Sequence, residues 1–274
     1  MSVDTKILVR EVTAWIKNYA ESAGIKTLIV GVSGGLDSAV VLKLCQRTGI
    51  RTIGIAMPMG DKDDEFTLKA MELGNDMDAR GEKVQIFLIP IEKMYAAYGS
   101  EINLPFTDEE IAERGQLCLG NLRSRIRANV LYHFAGMMGG LVVGTGNKDE
   151  DTIGYFTKGG DGLVDICPLS DIHKHDVRLM AIETEVTDNI VNAVPSAGLW
   201  EGQTDEDELG MTYDEIEWAI RFDDQPDTCP VTPRNCFDIT EGRKHEVLSK
   251  VRHMRKVNSH KLFYPPTFPL EKLY

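Results

Sequence analysis

The chain has 274 residues, 42% hydrophobic and 27% charged, a globular balance long enough for one large α/β domain or two small ones. Its formal net charge of −13 argues against sequence-independent nucleic-acid binding, and leaves any anionic ligand to local clusters of Lys and Arg. Five cysteines without a C-x-x-C pair suggest neither a disulfide framework nor a zinc site. With no signal peptide and no apolar run of bilayer length, the expectation is a reduced, soluble, cytoplasmic protein that binds neither nucleic acid nor membrane.

Leu8, Val12, Trp15, Ile16 and Tyr19 recur at helical spacing and predict an amphipathic helix over residues 4–21, closed around Gly24. Leu28, Ile29 and Val30 then read as a short buried parallel strand. Ser33-Gly34-Gly35 breaks it, and Ala39 to Cys45 reads as a helix that stops at Gly49. Strand, small-residue turn, helix is the layout that aims backbone N–H groups and a positive helix end at an anion. Gly34 and Gly35 allow positive φ and close approach of a ligand, while Ser33 and Ser38 add hydroxyl donors. Asp37 adds a carboxylate, which would repel a phosphate unless a divalent cation lay between them. The stretch is a candidate nucleotide-phosphate cradle with a metal ligand built in. Three readings compete: a ligand-free glycine turn, a Walker A loop and a hydrolase nucleophile elbow. A Walker A loop needs Lys where Asp37 stands. Gly31-Val32-Ser33-Gly34-Gly35 satisfies G-x-S-x-G, but that elbow follows several strands, and one helix is all that fits before Thr27.

Thr52 to Met57 is a second strand, ending in Pro58-Met59-Gly60; ligands of doubly wound sheets bind beyond such strand ends, so Met57 and Gly60 belong beside the cradle. An acidic helix start at Asp61–Glu65, a helix to Arg80 and a third strand at Val84–Ile89 follow. This alternation predicts right-handed βαβ units in a doubly wound parallel sheet flanked by helices, an α/β fold. Residues 99–107 are expected as loop, with helix from Thr107 interrupted near Gly115 to Gly120. A long helix then runs from Asn121 to about Met138, with Arg123 and Arg127 on one face and Arg125 elsewhere; in so acidic a chain this basic patch is a candidate anion contact. Leu141 to Gly144 is a short buried strand, and Thr145 to Glu150 a turn carrying a hydroxyl and a carboxylate. A glycine-rich turn at 159–162 leads through Asp165 to a helix from about His173. His173 and His175 at i,i+2 point different ways and do not form a metal site, whereas Lys174 opposes the helix dipole and should face an anion. Residues 195–212 lack periodicity and are expected to be an unstructured, mobile lid. Helices over Tyr213–Phe222 and Glu241–His260 flank a loop at 223–239; without repeats or an internal boundary, residues 1–274 read as a single domain.

Ser33-Gly34-Gly35-Leu36-Asp37-Ser38 resembles the pyrophosphate loop of the N-type ATP pyrophosphatases. The motifs Gly144-Thr145-Gly146-Asn147-Lys148-Asp149-Glu150, Gly154-Tyr155-Phe156-Thr157-Lys158, Asp161-Gly162, the stretch 195–210 and His260-Lys261 stand in the order of the NAD synthetase family, over nearly the whole chain. The resemblance implies a homodimeric ligase in which ATP adenylates the carboxylate of deamido-NAD, pyrophosphate leaves, and ammonia displaces AMP to give NAD. It implies magnesium held by Asp37 and Glu150. It implies ATP contacts from Gly31, Val32, Ser33, Gly34, Gly35, Leu36, Asp37, Ser38, Thr145, Lys174 and Ser196, with Lys174 as a charged clamp on the phosphates. Arg125, Lys158, Asp165, His260 and Lys261 match the deamido-NAD site, and Asp161, with Asp165, is the candidate for drawing in ammonium and taking its proton. Two positions depart from the pattern: Gly159 stands where relatives often carry an aromatic residue, and Leu262 where they carry a basic one. An adenylating ligase for another carboxylate or for tRNA, and a nucleotide sensor without turnover, remain alternatives, with the acidity counting against tRNA. Free ammonia is the expected nitrogen donor, because about two dozen residues before the first strand are too few for a glutaminase domain and none of the cysteines sits in a nucleophile setting.

Overall fold

The computed structural model describes residues 4–60, 65–82, 84–102, 108–193, 204–236, 239–265 and 267. Four parallel strands, β1 (Thr27–Gly31), β2 (Arg51–Ala56), β3 (Gln85–Leu88) and β4 (Leu141–Val143), lie in the order β3-β2-β1-β4. Ile29 stands opposite Ile53 on one side and Val142 on the other. Successive side chains of a strand face opposite sides, so an unbroken apolar run buries both faces. Leu28 and Val30 pack under α1 (Thr5–Ser22), α2 (Leu36–Arg47), α3 (Glu65–Ala79) and α7 (Lys174–Glu183). Ile29 joins Ile53, Ile55 and Val142 against α4 (Glu92–Glu101) and α5 (Asp108–Met138). This is the doubly wound α/β arrangement expected from the strand–helix alternation.

A third apolar cluster lies beside the sheet layers. Ile153 of α6 (Lys148–Ile153) packs with Leu209 of α9 (Asp205–Leu209), Ile216 and Trp218 of α10 (Tyr213–Asp224), and Val247 and Val251 of α11 (Glu241–Val257). The short helices α8 (Asp188–Val191) and α12 (Ser259–Leu262) complete the elements among the described residues, with a 3-10 turn at Pro226–Thr228 inside the loop expected over 223–239. No helix of the described residues is long and apolar enough to cross a membrane.

Several local expectations are corrected. On α1 the buried residues are Val9, Ile16 and Ala20, whereas Trp15 and Tyr19 are 46% and 43% exposed. The residues 99–107 are not all loop, since α4 runs to Glu101; 103–107 lie outside the described residues. There is no interruption near Gly115 to Gly120, because α5 is one helix of 31 residues. Glycines inside a helix cost about 1 kcal/mol each, yet the helix continues through Gly115 and Gly120 into the turns where Ile126, Val130 and Ala135 are buried against the sheet. The last helix breaks at Asn258, whose side chain donates to the Ile153 carbonyl at 2.9 Å. The unstructured stretch expected over 195–212 is corrected from residue 204 onward. Thr204 caps α9, Gly210 ends it at φ +60°, and Thr212 with Glu215 forms a capping box that starts α10. Residues 195–203, with Ser196, lie outside the described residues.

Candidate active site

The strand order reverses at β1: β2 and β3 follow it on one side, and the chain then crosses to place β4 on the other, and the crevice beyond the strand ends at such a reversal is where open α/β sheets bind ligands. Two loops meet there: residues 32–38 after β1 and 144–150 after β4. In the first, Gly34 sits at φ +83°, and a Cβ on it would lie 2.1 Å from the Phe66 carbonyl oxygen, so only glycine fits. Ser38 Oγ donates to the Gly35 carbonyl at 3.0 Å and accepts the Ser33 N–H at 3.2 Å, while the Gly35 N–H donates to Ser33 Oγ at 3.2 Å. These bonds fold the loop into a tight cup. Gly35 is the N-cap of α2 and supplies no side-chain cap, so the first N–H groups of that helix face the cup uncapped. Val32 and Leu36 bury their side chains in the core and present only backbone.

Asp37, in the first turn of α2, meets Lys174 from the start of α7 in a short ion pair. Glu150, in the first turn of α6, lies 3.7 Å from the same ammonium. Tyr213, at the start of α10, donates its hydroxyl between Glu150 at 2.8 Å and Asp205 at 3.0 Å, and its ring lies 4.9 Å from the Lys174 ammonium. Asn147 is fully buried; its Oδ1 accepts the N–H groups of Asp149 and Glu150, and its Nδ2 reaches Asp37 at 3.5 Å. Burial pushes the Glu150 carboxyl up to about 8, with Asp37 and Asp205 adding to the rise and Lys174 and the Tyr213 hydroxyl opposing it. Burial alone would lower the Lys174 ammonium, but Asp37 and Glu150 hold it above its ordinary value. Lys174 thus does face anions, as its position against the helix dipole suggested.

Three carboxylates around one ammonium leave a negative centre beside a cup of anion donors. That charge pattern suits a hard divalent cation, which takes carboxylate oxygens and completes its shell from phosphate and water. Among the described residues no group of three or more His, Cys, Asp or Glu side chains forms a ligand shell by itself, so Asp37 and Glu150 would need oxygens from a bound ligand.

The second group of expected residues gathers around the turn 154–162. Arg125 Nε donates to the Lys158 carbonyl at 3.2 Å, and Lys158 Nζ donates to the His260 carbonyl at 2.9 Å. Lys261 Nζ donates to the carbonyls of Gly154 and Phe156, both at 2.8 Å. Asp161 accepts the Ser124 hydroxyl at 2.6 Å and the Thr157 N–H at 3.0 Å. Asp165 sits beside β4, accepting from Tyr132 at 3.1 Å and the Val142 N–H at 2.8 Å. Helix α6 spans the two groups, with Glu150 in its first turn and Gly154 as its C-cap. Thr145 stands two residues after the end of β4 and is half-buried. Gly159 sits at φ +76°, and a Cβ on it would meet Arg125 Nε at 4.0 Å, an ordinary contact.

Sequence reasoning missed Tyr213, Asp205, Asn147 and Asp149. The Thr212–Glu215 capping box was legible and would have put Tyr213 at a helix start, but the partners of its hydroxyl come from segments 63 and 8 residues away.

The NAD synthase family model matches residues 8–265 of the chain. An NH(3)-dependent NAD(+) synthetase of Methanococcoides burtonii is 40% identical over 208 residues, covering 76% of this chain and 75% of that protein. Another, from Carboxydothermus hydrogenoformans, is 35% identical over 269 residues, covering 97% and 98%. Among solved structures, an NMN synthetase from Francisella tularensis superimposes with a TM-score of 0.82 at 29% identity, covering 98% of this chain and all of that one.

Proposed function

The chain belongs to the NAD synthase family and is a ligase that forms a carbon–nitrogen bond; from that premise we propose that it amidates the carboxylate of deamido-NAD with ammonia, driven by ATP. The observation that carries this reading is the convergence of Asp37 and Glu150, from loops after two adjacent strands, on Lys174 beside an uncapped helix N-terminus.

The cup around Ser33, Gly34, Gly35 and Ser38, with the backbone of Gly31, Val32 and Leu36, holds the ATP phosphates, and Thr145 and Ser196 are proposed as further ATP contacts. Lys174 fixes their orientation as a charged clamp. Asp37 and Glu150 would hold a magnesium ion, which offsets charge building on the leaving pyrophosphate. Arg125, Lys158, Asp165, His260 and Lys261 bind the nicotinate nucleotide and bring its carboxylate to the α-phosphate. The carboxylate oxygen forms a bond to that phosphorus as the bond to pyrophosphate breaks. Ammonia then attacks the acyl carbon, AMP leaves with the carboxylate oxygen, and a proton departs from nitrogen. Ammonium has no lone pair, so a base beside the intermediate is needed, and Asp161, held by Ser124 and Thr157, takes that role. At limiting total ammonium the rate rises as pH increases above neutrality, and Asp161→Asn raises the ammonium requirement. We also propose a homodimer in a reducing cytoplasm. Pyrophosphate release from ATP that depends on deamido-NAD is the test; release without it, or none with it, overturns the reading.

A second reading differs in the size of the substrate. One of the similar structures is named an NMN synthetase, and NMN is a mononucleotide. In this chain Gly159 offers no ring to stack on and Leu262 no charge, two losses at the site proposed for the dinucleotide. Comparing kcat/KM for nicotinate mononucleotide and deamido-NAD separates the two, and the larger value names the substrate.

A further inference from the structure

Behind Lys174 and Glu150 lies a second, enclosed pair that the proposed chemistry does not use. Asp149 is 0% exposed and His173 6%. His173 Nδ1 lies 2.6 Å from Asp149 Oδ1, and since a carboxylate only accepts, Nδ1 carries the proton. The other oxygen, Oδ2, accepts the backbone N–H of Lys174 at 2.8 Å. That N–H belongs to the unpaired donors at the start of α7, whose own N-cap, His173, makes no side-chain cap bond. Asp149 therefore caps α7 from a different helix. The Lys148 N–H donates to the Ile172 carbonyl at 3.0 Å, a second tie between the same two segments.

The neighbours in sequence give this tie its meaning. Asp149 immediately precedes Glu150 on α6, and His173 immediately precedes Lys174 on α7. A buried carboxylate is costly unless its lone pairs are satisfied, and here two donors from one helix start satisfy it. We infer that Asp149 and His173 are positioning residues, which hold α6 and α7 in the register that sets the Lys174 ammonium against Asp37 and Glu150. They act on the reaction only through Lys174. The turnover assay for this inference rests on the ligase reading; its geometry does not.

Turnover and magnesium–ATP affinity of Asp149→Ala, Lys174→Ala and the double variant test it, with His173→Ala and His173→Asn alongside. Misplacement of the clamp lowers kcat of Asp149→Ala on the order of 10- to 100-fold. The double variant stays within about twofold of Lys174→Ala in both measurements, because the two changes remove one interaction. The Asn amide can donate from near the position of Nδ1, so His173→Asn keeps more activity than His173→Ala. Wild-type kcat in Asp149→Ala, or losses that add to those of Lys174→Ala, would overturn the inference. Should Asp149→Ala fail to fold, His173→Ala in the same cycle with Lys174→Ala decides it. If the unaltered protein makes no amide from either nicotinate nucleotide, the ligase reading falls, and the ATP-affinity cycle still judges the pair.

Discussion

Asp37 occupies the first turn of a helix, where the dipole favours a carboxylate, yet it stands beside a cup shaped for phosphate oxygens. Only a cation between them reconciles the two, and Lys174 supplies one. Asp37→Ala and Glu150→Ala each lower ATP-dependent pyrophosphate release by about 100-fold or more, with circular dichroism unchanged. Near-wild-type turnover by Glu150→Ala at saturating magnesium would remove that residue from the metal. Gly34 makes a separate prediction. Its positive φ alone makes Gly34→Ala destabilising by about 1–3 kcal/mol, and the Phe66 carbonyl in the way of a Cβ adds to the loss. The urea midpoint reads this directly; an unchanged midpoint would mean that the loop relaxes without cost.

At the scale of elements, α10 and α11 are joined through one side chain. Glu215 closes the capping box of α10 on the Thr212 N–H and accepts two bonds from Arg243 of α11, both at 2.8 Å. Burial would raise its carboxyl, but the Arg243 bonds and the Thr212 N–H outweigh burial and hold it below its ordinary value of 4.5. The folded state thus takes up this proton less readily than the unfolded chain. The stabilisation is complete above the ordinary value and is lost as pH falls through the lowered one. Glu215→Gln accordingly melts at a lower temperature at neutral pH and loses less on acidification than the unaltered protein. Parallel melting curves across the acid range would sink this account.

At the scale of the whole molecule, α4 and α5 leave apolar side chains exposed. Tyr98, Leu117 and Met137 are 45%, 55% and 76% exposed. If these helices form the proposed dimer contact, light scattering gives twice the 30.5 kDa chain mass, and Leu117→Arg with Met137→Glu shifts it towards one chain. A dimer unaffected by both substitutions would place the contact elsewhere.

Local sequence determined the elements whose signals lie within a few residues: β1 with its glycine cup, the alternation that yields a parallel sheet, and the carboxylates of the two loops. Both faces of β1 are buried, so its apolar run needed no partner to be read. Order along the chain also made Asp37 and Glu150 candidates, because each follows a strand. What sequence left open depends on contacts between distant segments. α5 runs unbroken through Gly115 and Gly120, where local propensity predicts an interruption, into the later turns that pack on the sheet. Residues 204–212 looked irregular because their order rests on caps and on Tyr155 and Tyr213, whose hydroxyls reach Glu208 and Asp205. Asp149 and His173 showed no pairing in the sequence, being 24 residues apart on helices that only the fold brings side by side. The strand order β3-β2-β1-β4 likewise had to be formed before the two loops could share one crevice, because pairing of parallel strands is decided by long-range packing and not by the residues of any one strand.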